Sequence, residues 1–238
     1  MTSNPYTPVA HTARAEGPLL DLGLRQYMLG VYNLMAGGLG LTGVVAIIAV
    51  ASGFYQSIAA TPLIWVVFLA PLAAVLFLSF RIDRMSGGTA HAVFWGFAAI
   101  MGLSIAGIFL VYTGASIARV FFVTAATFGA MSLYGYTTGR DLSGLGSFLL
   151  MGLIGIVLAA LVNIFLASST LQFVISVVGV LVFTGLTAYD TQRIKEVYLA
   201  SDASDVLAKK SILGALALYL DFINLFMALL QLAGQRRD

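Results

Sequence analysis

Residues 216–232 read LALYLDFINLFMALLQL. Length and apolarity are those of a helix that crosses a bilayer, which needs about 20 mostly apolar residues. Yet Asp221 stands in its middle. An Asp at a helix centre costs about 2.5–3.5 kcal/mol to insert, against roughly 0.3–0.6 kcal/mol gained per Leu, Ile or Phe. The stretch holds ten Leu, Ile and Phe residues. Their gain, roughly 3–6 kcal/mol, is largely offset by Asp221 with Asn224 and Gln231. Alone, this helix inserts poorly and needs protein or water along one side. The spacing shows which side: Gly214, Ala217, Asp221, Asn224, Ala228 and Gln231 follow steps of three and four, so they share one helix face. Every member is small or polar, and such a face points into a helix bundle or a wet cavity. A central last helix wrapped by the others suits the pattern.

The rest of the chain agrees. Of 238 residues, 60% are hydrophobic and only 9% charged, where a soluble domain carries about 25% charged residues. The chain is therefore expected to be an all-α membrane protein. Seven apolar runs are long enough to span, at about 29–51, 58–80, 89–112, 115–138, 145–167, 171–190 and 211–232. They make one domain, 29–232, between a polar tail, 1–28, and a short C-terminal tail, 233–238. The N-terminal stretch mixes both charges with three prolines and is not expected to be a signal peptide. Only the sixth connection, TQRIKEVYLASDASDVLAKK, is long and charged, and helix six is able to continue through Lys195.

With the N-terminus inside, nine basic residues fall on the cytoplasmic side: Arg14, Arg25, Arg81, Arg84, Arg140, Arg193, Lys195, Lys209 and Lys210. Three, Arg119, Arg236 and Arg237, fall on the other. Basic residues concentrate in cytoplasmic loops, so this predicts N-in and C-out. A re-entrant last span would bring Arg236 and Arg237 back inside and strengthen the bias. Glycines at 37, 38, 40 and 43 in the first span, 96, 102 and 107 in the third, and 152 and 155 in the fifth are expected to permit close helix approach.

Several functions are excluded. There is no cysteine, hence no disulfide, thiolate zinc site or iron–sulfur cluster. Only two histidines, His11 and His91, are present, so an intramembrane bis-histidine haem is not expected. The lysines, Lys195, Lys209 and Lys210, all lie in the sixth connection, away from where a retinal Schiff base would need one. No G-x-S-G motif accompanies a buried histidine, as an intramembrane serine protease requires. No basic patch interleaves with exposed aromatics, so nucleic acid is not a partner. An enzyme is not expected, and neither is a tightly bound cofactor.

Polar residues gather on the last two spans. Asp190 lies near the end of the sixth, with Thr184, Thr187 and Thr191 on a neighbouring face. Asp221 admits a structural reading, as partner to a basic or hydroxyl group, and Asp190 one as an interfacial charge. Arg81 and Arg84, at the end of the second span, are the nearest plausible cations.

At these residues the chain resembles the Bax inhibitor-1 family, also called the transmembrane Bax inhibitor motif-containing family, in its bacterial YccA-like branch. The matching stretches are FRIDRMS after span two, AYDTQRIK at the end of span six and LYLDFINLFMALLQL in span seven. The resemblance covers nearly the whole chain. It implies a seven-helix bundle with the last helix central, wrapped by two three-helix layers. It implies a pH-sensitive calcium leak in which two carboxylates, Asp190 and Asp221 by motif position, sense protons and bind calcium transiently. It also implies an arginine latch on the first aspartate, Arg84 with Arg81 as the alternative. Asn224, Gln231 and Thr187 are the candidate pore-lining residues beside the pair. Some bacterial members are linked instead to a membrane-bound ATP-dependent protease, which makes a regulatory binding protein the alternative. The expected setting is the bacterial cytoplasmic (inner) membrane, and the expected partners are the lipid bilayer, calcium and protons.

The chemistry is coherent. Two carboxylates sharing one site resist ionising together and titrate as a unit. Calcium prefers oxygen ligands, so protons and calcium compete for the same atoms. No nucleotide-binding loop supplies a motor. One geometric condition remains: Asp221 is near the middle of its span and Asp190 near the end of its own. They meet only if helix seven starts deeper than its apolar run or helix six runs on.

Overall fold

A computed structural model describes the backbone of residues 16–237 and the side chains from Leu22 onward. Arg14 and His11, and with them most of the N-terminal tail, lie outside the described residues. Within them the chain is helical, with seven helices long and apolar enough to cross a membrane. The order is α1 (Glu16–Ala51), α2 (Phe54–Ala59), α3 (Leu63–Arg81), α4 (Gly87–Ile105), α5 (Ile108–Val111), α6 (Gly114–Thr137), α7 (Ser143–Leu166), α8 (Ser169–Glu196) and α9 (Ser204–Ala233). Helix α2 is a short piece between the first two spans, and α5 is the short end of the third. Gly53, in the left-handed region at φ 75°, turns the chain into α2. The third span breaks at Ala106–Gly107, where the Tyr55 hydroxyl of α2 fills the space a side chain on Gly107 would need.

The last helix is the most enclosed. In its most apolar window 61% of the residues are buried, against 6% for α7 and 11% for α3. It packs on α1, α4, α6 and α8. Helix α1 also packs on α4, which in turn carries α3, while α8 carries both α6 and α7. The insertion deficit of α9 explains its place: neighbours, not lipid, cover most of it. Tyr219 is the hub on its α1–α4 side. Its ring is fully buried, 5.2 Å from Phe97, and its hydroxyl is hydrogen-bonded to Thr42 Oγ1 at 2.6 Å.

Side chains stitch three connections together at one end. Gly87 N–H donates to Asp205 Oδ1 (2.7 Å), linking the start of α4 to the start of α9. Leu142 N–H donates to Gln192 Oε1 (2.9 Å), and Gln192 Nε2 donates to the Arg140 carbonyl (2.8 Å), linking the α6–α7 connection to α8. At the opposite end the C-terminal residues pair with the α5–α6 junction. Thr113 N–H donates to the Gln235 carbonyl (3.0 Å), Arg237 N–H to the Val111 carbonyl (2.9 Å) and Gln235 N–H to Ser116 Oγ (2.8 Å). Helix α9 therefore runs the full length of the bundle and is not re-entrant.

The glycines divide into two kinds. Gly38 abuts Phe94, Gly102 lies against the Thr42 backbone and Gly135 against the Ala188 carbonyl, so these do permit close approach. Gly40, Gly43, Gly96 and Gly155 face open space instead, and tight packing is not their reason.

Candidate functional site

Both conditions for joining the two aspartates are met. Helix α8 runs on to Glu196, past the apolar run that ends near 190, and α9 starts at Ser204 rather than near 211. The two helices pack antiparallel along most of their length. Gly214 of α9 receives Ile194, and Gly179 of α8 faces the Ala228 methyl. With no side chain at either glycine, the backbones close up and the residues between them meet. Asp190 and Asp221 consequently lie within hydrogen-bonding reach of each other.

Asp221 is 5% exposed, and no donor among the described residues reaches its Oδ2. Neither carboxylate oxygen donates, so a hydrogen bond across the pair requires a proton carried by one of them. Among the described residues the ion pairs are Lys209–Asp205 and Lys210–Asp202, and neither aspartate of the site belongs to one.

A cavity of about 480 Å3 opens on Asp190 from the end where the α3–α4 and α8–α9 connections lie, and Asp221 is buried behind it. Asp190 and Arg193 of α8, Lys210, Gly214 and Ala217 of α9, and Ser79 of α3 line it. Arg193, one turn beyond Asp190, acts on the Asp190 charge. Arg81 and Arg84 stand exposed at the foot of α3. Past Asp221 the way is closed. Leu225, Phe183, Leu186 and Val182 form a buried apolar cluster with Leu149 one to two turns further along the same helix pair. Beyond the plug, Ser176 Oγ (2.8 Å) and Gln172 Nε2 (2.5 Å) both donate to Gln231 Oε1, and Asn163 Nδ2 donates to Gln172 Oε1 (3.1 Å).

The chain matches the family described as inhibitor of apoptosis-promoting Bax1 over residues 24–238. The chain belongs to the Bax inhibitor-1 family. It is 51% identical over 219 residues to the inner membrane protein YbhL of Escherichia coli K12, covering 90% of this chain and 94% of that one. It is 47% identical over 228 residues to a protein of Rickettsia prowazekii, covering 95% and 97%. A Caulobacter vibrioides protein is 44% identical over 233 residues, covering 92% of each.

Of the motifs that suggested the Bax inhibitor-1 family, AYDTQRIK and LYLDFINLFMALLQL meet at the aspartate pair, whereas the arginines of FRIDRMS stay exposed outside it. The small-and-polar face of α9 is laid against α8 through Gly214, Asp221, Ala228 and Gln231. Ala217 is half-buried and lines the cavity. Asn224, at the edge of the face, is exposed and donates to its own Leu220 carbonyl (2.8 Å). Thr187 is fully buried, its hydroxyl donating to the Phe183 carbonyl (2.8 Å). Two features were missed in the sequence. Arg193 reads there as one more cytoplasmic charge, although its i+3 spacing from Asp190 places both on one face. Of the Gln172–Ser176–Gln231 cluster only Gln231 is marked in the sequence, because Gln172 lies at the very start of its apolar run.

Proposed function

We propose that this protein is a pH-sensitive calcium (cation) leak of the inner membrane, with Asp190 and Asp221 as its proton sensor and transient calcium site. The observation that carries the reading is the meeting of a buried carboxyl group, Asp221, with a half-buried one, Asp190, that lines a cavity open to one side. The bundle is read as α9 at the centre, with α1, α3 and α4 in one three-helix layer and α6, α7 and α8 in the other. The arrangement described is a closed one.

Calcium takes six to eight oxygens, and two carboxylates supply only part of such a shell. Waters entering through the cavity complete it, which suits passage better than tight retention. A proton shared by the pair occupies the oxygens calcium needs, so acid empties the site. Once the pair is charged, its remaining barrier is the apolar plug around Leu225, of the kind that gates by dewetting. Closure on the cytoplasmic side falls to a cation over Asp190. Arg84, just past α3, or Arg81 at its end, fills that role if the foot of α3 swings in, and Arg193 holds the position in the closed arrangement.

Calcium flux into proteoliposomes, measured from acid to neutral pH, tests the reading. Wild-type flux is expected to fall as pH falls, and Asp190→Asn and Asp221→Asn are each expected to flatten that dependence. An Asp221→Asn protein that leaks with the wild-type pH profile would remove the sensor. Stoichiometric recovery of a membrane protease with no flux at any pH would favour the regulatory alternative.

A further inference from the structure

A second feature lies on the opposite flank of α9, away from the aspartates. Helices α1 and α6 both pack on α9, and a groove runs between them. Near its cytoplasmic end is a cavity of about 300 Å3 lined by Arg25, Met28, Leu29, Tyr32, Leu133 and Tyr136. Further along is one of about 560 Å3, walled by Met35, Leu39 and Gly43 of α1 and by Phe121 and Phe128 of α6, with Phe222 of α9 beneath. Along α1 the two reach from Arg25 to Ile47, about 33 Å at 1.5 Å per residue, which matches a hydrocarbon core of about 30 Å.

Two properties say what this groove takes. First, it is hollow because side chains are missing from it: a Cβ added at Gly40 or Gly43 meets nothing within 4 Å. The floor is aromatic, with Phe222 ring centroids 5.4 Å from Phe121 and 5.5 Å from Phe128. Such a surface receives a flexible apolar chain. Second, polarity is confined to one end and is positive. Arg25 is exposed at the mouth, and Lys195 stands behind Tyr136, donating to its carbonyl (2.8 Å) with Nζ 5.7 Å from the ring centre. No acidic residue lines either cavity among the described residues. Basic pockets between spans on the cytoplasmic side select anionic headgroups.

We propose that the α1–α6 groove is a binding site for one anionic phospholipid of the cytoplasmic leaflet. Its phosphate lies against Arg25, with Lys195 adding to the positive field. One acyl chain passes Tyr32 and extends over Phe128 toward Gly40. The lipid thereby fills the seam left open between α1 and α6 outside the buried Phe222. This site is independent of the aspartate pair, and its failure would leave the leak reading intact.

The test is native mass spectrometry of the full-length protein titrated with phosphatidylglycerol or phosphatidylcholine of the same chain length. Wild type is expected to retain one phosphatidylglycerol in preference to phosphatidylcholine. Arg25→Gln should cut that preference about fivefold, the worth of one basic residue at a membrane surface, while leaving total lipid retention similar. Gly40→Leu fills the groove without meeting the backbone and should displace both lipids. Gly96→Leu, an open glycine on α4, serves as its control and should displace neither. Equal retention of the two lipids by wild type, or equal effects of the two glycine replacements, would reduce the groove to ordinary annular contact and overturn the proposal. Thermal unfolding without added lipid identifies any variant that has merely failed to fold.

Discussion

The α8–α9 seam carries two polar constellations, one on each side of an apolar plug, and they are built on opposite principles. On the outer side Gln231, Gln172, Ser176 and Asn163 are neutral amides and a hydroxyl whose hydrogen bonds close on one another. On the inner side two acids meet, one oxygen of Asp221 has no donor, and a cavity leads in. A satisfied neutral cluster fixes two helices and has no reason to change. A pair of acids in no direct ion pair among the described residues changes state with every proton it gains or loses. Within one helix pair, the first arrangement belongs to architecture and the second to a switch.

The sharpest way to break that contrast is to neutralise one acid. Asp221→Asn keeps the shape, supplies a donor to Asp190 and removes the shared proton. A site exchanging one proton changes occupancy by at most about tenfold per pH unit. That dependence, read as calcium flux in proteoliposomes, should disappear. Next in size is the plug between the two constellations. Leu225 is fully buried, so Leu225→Ala should cost about 2–5 kcal/mol of stability. It should also raise flux at neutral pH while keeping the pH profile, since the acids are untouched. A plug variant that loses stability without gaining flux would place the conducting route elsewhere.

Gln231→Leu probes the outer constellation. It leaves Gln172 Nε2 without its acceptor, while Ser176 Oγ keeps the Gln172 carbonyl (2.9 Å), at a cost of about 1 kcal/mol, the low end of the range because Gln231 is exposed. Thermal unfolding should show the loss, and the pH profile of flux should not move. A flattened profile in this variant would mean that the two ends are one coupled network rather than a scaffold and a switch.

What the sequence made legible follows the same division. Seven spans and the enclosed α9 could be read because membrane insertion is a sum over local composition, and Asp221 in LYLDFINL violates that sum visibly. Asp190 was legible through its motif but not its depth. AYDTQRIK allows the helix to continue through Lys195 but does not require it, since lysine and arginine end apolar runs without ending helices, and the helix in fact runs to Glu196. The glycines were half-legible. A missing side chain looks the same whether a neighbour fills the space, as Phe94 does at Gly38, or nothing does, as at Gly40. Contacts between distant segments, such as Gly87 with Asp205 or Thr113 with Gln235, leave no trace in periodicity, because main-chain donors and acceptors are common to nearly all residues.

The cations around the inner constellation separate next. Arg193 shares the cavity with Asp190, whereas Arg84 is exposed outside it. Replacing Arg193 by Gln should alter neutral-pH flux roughly two- to fivefold, the range of a partly solvated charge pair. Arg84→Gln should do less in the closed arrangement. The reverse order would show that α3 swings in during the working cycle and that its arginine is the true latch.

The smallest expected effect comes from Asp141, an acid on the same cytoplasmic face with no part in the seam. It is fully exposed, and hydrogen bonds from Ser143, whose N–H donates to its Oδ1 at 2.8 Å, hold its carboxyl below the usual Asp range. Because the folded-state value is the lower one, its contribution is complete above the ordinary Asp range and is lost as pH falls through the lowered value. Asp141→Ala should therefore reduce the unfolding temperature slightly at neutral pH and not at all in strong acid. Its flux profile should superimpose on wild type between those limits. An acid that titrates on the surface shifts stability alone, whereas an acid buried against another is expected to shift transport. A change of flux profile in Asp141→Ala would mean that general surface charge, rather than the Asp190–Asp221 pair, sets the response to pH.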